Sequence, residues 1–118
     1  LTQTPTIKQR TKTILNLLDE KKAQDLESFN LSGKDYIVDE VIIATSMAGK
    51  HSHSLLDMLK TQLKPLGEIF YNTDEENEDW LIADLGDIMI HIFTENHRKK
   101  FNLEEFLEEI NKQKHSSE

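Results

Sequence analysis

Asp84 and Asp87 bracket Gly86 in this sequence. Two carboxylates three residues apart can hold Mg²⁺ beside a nucleotide, as a transferase requires. Such a site also needs a third carboxylate and a Gly-Ser turn to cradle phosphate, and neither is evident. Ordinary turn chemistry, with carboxylates capping the turn and one reaching a basic partner, accounts for both residues. His51 and His53 are two apart near a helix start, where the chain turns ~200° between them, so their rings diverge. Zinc would want i, i+4 spacing and a third ligand. His91 sits between apolar strand residues and reads as a half-buried histidine. The expectation is therefore no metal and no cofactor. Trp80 is the only tryptophan and follows an acidic run. An indole offers a large apolar area and one N–H, the combination enriched at binding hot spots; the competing reading is a core position in a hairpin. Arg98 belongs to the only dense basic cluster, His97-Arg-Lys-Lys100. Its fork suits a carboxylate, either Asp84 or one on a partner, while Lys99 and Lys100 fit a solvated helix face.

These residues must be positioned by regular elements. Ile7, Ile14, Leu15, Leu17 and Leu18 form a helical apolar stripe over residues 7–22. A short strand over 25–31 is followed by the turn residues Ser32-Gly33-Lys34-Asp35. Residues 36–46 are rich in β-branched types, and Val41-Ile42-Ile43-Ala44 reads as a central strand, apolar on both faces. Ala48-Gly49-Lys50 turns the chain into a second helix with Leu55, Leu56, Leu59 and Leu63 inside, ending by Pro65. Residues 67–71 read as another short strand and 72–79, with five acids, as a solvated loop. Leu85-Gly86-Asp87 joins strands 80–84 and 88–93 in the plainest hairpin of the chain. Along its second arm Ile88, Ile90 and Ile92 share one face while Met89, His91 and Phe93 share the other. Phe101, Leu103, Phe106, Leu107 and Ile110 suit one C-terminal helix, and 111–118 has no apolar residue. Strand, turn and helix in this order predict an α/β domain.

The 118 residues fit a single domain. The expected division is a flexible start over 1–6, one domain over 7–110 and a disordered polar tail over 111–118. No apolar run approaches the ~18 residues a membrane span needs. The absence of cysteine rules out disulfides and thiolate metal sites. The start, Leu1-Thr-Gln-Thr-Pro-Thr, lacks the charged-then-apolar layout of an export signal. With 22 acids against 14 bases the formal charge is −8. Nucleic-acid binders normally carry a basic stripe, so no direct nucleic-acid readout is expected. A basic protein partner would gain from electrostatic steering; the plainer account of the charge is solubility.

Two stretches carry a family resemblance. The first is Lys21-Lys-Ala-Gln-Asp25, then Ile43-Ala-Thr45, Lys50-His51 and Asp57. The second is Pro65-Leu66-Gly67, then Trp80-Leu-Ile-Ala-Asp84-Leu-Gly86-Asp87-Ile-Met-Ile-His91-Ile-Phe93, then Arg98, Phe101 and Leu103-Glu104. This order and spacing resemble the ribosomal silencing factor family, also called Iojap-related proteins, over about residues 7–107. Three departures stand out. Ser46-Met-Ala-Gly-Lys50 replaces the family's usual Gly-Thr-Ser-Ser-Arg, the 65–80 loop is longer, and Leu107 stands where an aromatic is common.

The resemblance implies a mixed β-sheet with flanking helices, shaped like a nucleotidyltransferase but without its catalysis. It also implies docking on the large ribosomal subunit through large-subunit ribosomal protein number fourteen, blocking of subunit joining, and repression of translation when nutrients run short. The partner-binding residues it implies are Trp80, Asp84, Asp87, His91, Arg98, Phe101 and Lys50, the last weakened by the 46–50 departure. A homodimer is left open, and the expected place is a bacterial cytoplasm, with an organellar source also open. Two other readings stand beside this one: a metal-dependent nucleotidyltransferase using Asp84 and Asp87, and a homodimeric adaptor unrelated to ribosomes.

Overall fold

The computed structural model of this chain describes residues 4–112. Helix α1 spans Ile7–Glu20. Thr6 begins it with a reciprocal cap: its hydroxyl accepts from the Gln9 N–H at 3.1 Å, and the Gln9 side chain accepts from the Thr6 N–H at 2.9 Å. The helix stops two residues short of the expected 7–22, because Lys21 caps it and Lys22 adopts φ +69°.

Strand β1 covers Gln24–Asn30, β2 Glu40–Ser46, β3 Asn72–Asp74, β4 Trp80–Asp84 and β5 Ile88–Thr94. They form one mixed sheet in the order β1-β2-β5-β4-β3. Only β2 and β5 run parallel, with Ile43 opposite His91; the other neighbours are antiparallel. Every residue of β2 is buried, as its unbroken apolar run requires of a strand covered on both faces.

Helix α2, Gly49–Leu63, packs with α1 on one sheet face. There Ile14, Leu18, Leu55, Leu56, Leu59 and Leu63 meet Ile42, Ala44, Leu81, Ile88, Ile90 and Ile92. Helices α3, Glu95–Phe101, and α4, Leu103–Lys112, follow β5. Leu103, Leu107 and Ile110 of α4 cover Phe29, Val41, Ile43 and Phe93 on the opposite face, with Trp80 and Met89 packed alongside but only partly buried. The alternation read along 88–93 thus separates the two cores.

Three expectations need correction. The predicted strand over 67–71 is an irregular segment following a 3-10 turn, Lys64–Leu66, and Gly67 at φ +101°. Its Tyr71 N–H reaches the Asp84 carbonyl at 2.9 Å, but β4 ends at Asp84, so residues 68–70 have no strand to pair with. Pairing begins at Asn72, and β3 lies inside the stretch expected to be loop; its polar residues are tolerable because it is a sheet edge. The central strand read from Val41-Ile42-Ile43-Ala44 is present and runs over Glu40–Ser46. The single C-terminal helix is two helices, broken at Asn102, whose φ of +51° is a conformation asparagine accepts more readily than most residues. Of the termini, 1–3 and 113–118 lie outside the described residues, while α4 continues through Lys112.

Candidate docking face

Antiparallel pairing of β4 with β5 sets Trp80 opposite Phe93, Ile82 opposite His91 and Asp84 opposite Met89. Side chains alternate along strands, so these six share one face. The Trp80 ring stacks on Phe93 at 5.1 Å between centroids and on His91 at 5.9 Å. Two rings from α3 close the group: Phe101 lies 4.4 Å from Trp80 and His97 5.9 Å. The five rings grade from Phe93, fully buried, through half-buried Trp80 to Phe101, which is 52% exposed. A second exposed ring, Phe106 of α4, meets Tyr36 edge-on at 6.1 Å.

The polar edge of Trp80 is used inside the protein. Its indole N–H donates to Nδ1 of His91 at 3.0 Å. His91 is 4% exposed, and burial lowers its pKa from the ordinary 6.5 to about 4, so the ring is neutral at physiological pH. An accepting Nδ1 places the one ring proton on Nε2, and Nε2 is buried with no hydrogen-bond partner among the described residues.

The two hairpin carboxylates serve different structures. Asp84 shares the Trp80 face, and its Oδ1 accepts from the Gly86 N–H at 2.8 Å, capping a turn in which Gly86 has φ +93°. Asp87 is gripped by Arg10 of α1 through two bonds of 2.8 Å each. The same guanidinium binds Glu68 at 2.7 and 2.9 Å. Hydrogen bonding to Arg10 holds the Asp87 carboxyl below its usual range. Nothing near Arg10 in sequence signals this clamp, because its partners lie 58 and 77 residues away.

Arg98 does present a fork, but not to Asp84. It is 7% exposed, and its Nε donates to Glu104 and its Nη1 to the Thr45 hydroxyl, each at 2.7 Å. Nη1 also donates to the Asp25 carbonyl, and Glu27 lies 3.4 Å from Nη2. The residue therefore ties β1, β2 and α4 to α3. Lys50 is exposed in the first turn of α2. It follows Gly49, against which Glu78 packs so closely that a Cβ there would sit 2.4 Å from the Glu78 carboxyl carbon. That contact puts Lys50 at the Trp80 end of the sheet.

His51 and His53 diverge. His51 Nδ1 accepts from the Met47 N–H at 2.9 Å and its Nε2 meets the Lys21 carbonyl at 2.8 Å, whereas His53 faces Glu75 at 3.8 Å. Among the described residues no three histidines or carboxylates are grouped as a metal site needs. Of the expected site residues, Trp80, His91 and Phe101 come together, with Asp84 on the same face; Asp87 and Arg98 are engaged elsewhere. Sequence reasoning missed the contribution of His97, whose place in a basic cluster disguised a ring packed against Trp80 and Phe93.

The sequence model of the family described as ribosomal silencing factor during starvation matches residues 4–118. The chain belongs to the ribosomal silencing factor family. Ribosomal silencing factor RsfS of Haemophilus influenzae is 32% identical over 92 residues, covering 77% of this chain and 90% of that protein. The chloroplastic protein Iojap of Zea mays is 29% identical over 91 residues, covering 74% of this chain and 38% of its own length. A solved structure from Bacillus halodurans superimposes with a TM-score of 0.74 at 25% identity, over 84% of this chain and 93% of that one. One from Chromobacterium violaceum gives a TM-score of 0.82 over 94% and 91%, and at 20% identity it speaks to the fold alone. The silencing-factor fold is thus a five-stranded mixed sheet with α1 and α2 on one face and α4 on the other. Among the described residues no helix is long and apolar enough to cross a membrane.

Proposed function

We propose that this silencing factor acts by occupancy. The Trp80 face docks on large-subunit ribosomal protein number fourteen, and the body of the factor fills space the small subunit needs, so that subunits fail to join and translation falls. The observation that carries this reading is the partly exposed ring pair of Trp80 and Phe101, in contact at 4.4 Å, whose one indole N–H is already satisfied by His91. Such a surface offers apolar area without leaving a polar group unmet when water is excluded. The −8 charge favours a basic partner. Asp84 and Asp87 are occupied separately by the turn and by Arg10, which supports a binding protein over a two-carboxylate nucleotidyltransferase.

Sedimentation of the protein with purified subunits tests the reading. The factor should migrate with the large subunit and not with the small one. Trp80→Ala should weaken that association ~30-fold to ~1000-fold, as loss of an anchor does. A factor absent from the large-subunit fractions, or a Trp80→Ala variant that binds as tightly as the parent, contradicts it.

A further inference from the structure

We propose that His91 is the positioning residue of the docking face: through Nδ1 it locks the indole of Trp80 in one orientation before any partner arrives. A histidine at this place carries a cost. The ring is 4% exposed among Ile82, Met89 and Phe93, and it stacks on Phe93 with centroids 6.1 Å apart. A phenylalanine could supply the same stacking. It would also avoid the buried Nε2 that finds no partner among the described residues, since an unmet buried donor opposes folding. What histidine provides and phenylalanine cannot is an acceptor for the indole N–H, 3.0 Å away.

That bond matters because Trp80 is only half-buried. Phe93 holds its ring by stacking at 5.1 Å and Phe101 by a tilted contact at 4.4 Å, which are attractive but weakly directional. Phe101 is itself 52% exposed, so it constrains the indole from a surface position. The hydrogen bond fixes which edge of the indole faces inward. A partner then meets an ordered apolar plate and need not immobilise it, so the ordering is completed on folding and not on binding.

The affinity consequence rests on the docking reading above; the lock itself is a property of the free protein. The single tryptophan makes it measurable by time-resolved fluorescence anisotropy. In the parent the indole should rotate only with the whole molecule. His91→Phe keeps the ring and removes the acceptor; it should melt at the same or higher temperature yet show fast local motion of Trp80. His91→Asn places an oxygen where Nδ1 stood; it should melt lower for want of the ring, yet restore the slow anisotropy when measured cold. Binding of the Phe variant to large subunits should be roughly 3-fold to 10-fold weaker, an order typical of re-immobilising one side chain.

Anisotropy of His91→Phe equal to the parent's overturns the lock, because stacking alone then orders the indole. Fast motion with unchanged affinity overturns its role in docking. If neither parent nor variant binds large subunits, the docking reading falls while the anisotropy of the free protein still decides the lock.

Discussion

Replacing Arg10 with alanine removes the clamp between α1, the 67–71 segment and the hairpin turn. Arg10 makes four bonds of 2.7–2.9 Å to Glu68 and Asp87, and the side chains of Arg10, Glu68 and Asp87 are 18%, 9% and 39% exposed. Breaking a fully buried ion pair from one side costs ~3–5 kcal/mol, whereas an exposed pair contributes ~0–1 kcal/mol. The Glu68 half lies near the first limit and the Asp87 half, which water can reach, near the second. We therefore expect Arg10→Ala to lose about 3 kcal/mol at neutral pH, with Arg10→Lys recovering only part of it because an ammonium cannot serve two carboxylates as a fork. The Asp87 share has a defined acid dependence. Its carboxyl is held below the ordinary value of 3.8, so its stabilisation is present above that value and is lost as pH falls through the folded-state pKa. Urea denaturation of parent and variant from neutral pH down to about 2 is the assay. A gap under ~0.5 kcal/mol at neutral pH, the usual scatter of surface substitutions, would show that the clamp contributes no more than exposed charges do and refute the reasoning.

Three further outcomes are expected. His91 has a folded-state pKa of about 4 against an ordinary 6.5; the unfolded chain therefore binds the extra proton first, and stability should fall between pH 6.5 and about 4 by ~3 kcal/mol at ~1.4 kcal/mol per unit. Urea midpoints of His91→Phe should lack that portion of the acid slope, and an unchanged slope would contradict the burial argument. Association with large subunits should slow as salt rises from low to physiological concentration while dissociation changes less; stopped-flow rates insensitive to salt would reduce the −8 charge to a solubility device. Incubation with Mg²⁺ and nucleoside triphosphates should give no nucleotidyl transfer, and transfer abolished by both Asp84→Asn and Asp87→Asn would reinstate the enzyme reading.

The parts of this fold legible in the sequence were those with local periodicity. The stripe of Leu55, Leu56, Leu59 and Leu63, the apolar run of β2 and the alternation Ile88 to Phe93 each named an element and its inward face. Elements defined by tertiary pairing were not legible: β3 exists because β4 offers it an edge, and 68–70 fail as a strand for want of one. At the site, the Trp80 to Phe93 string was visible as a motif, but its ring geometry was not. His97 looked like part of a basic cluster, and Arg98 looked available although Thr45, Asp25 and Glu104 enclose it. The Arg10 clamp depends on contacts across 58 and 77 residues, which no short-range pattern encodes.

Light scattering on mixing small and large subunits tests the central claim most directly. Preincubating the large subunit with the factor should suppress the rise that marks joining, and Trp80→Ala, confirmed folded by its melting curve, should leave joining intact at the same concentration. Full-amplitude joining with the factor bound to the large subunit would contradict the account.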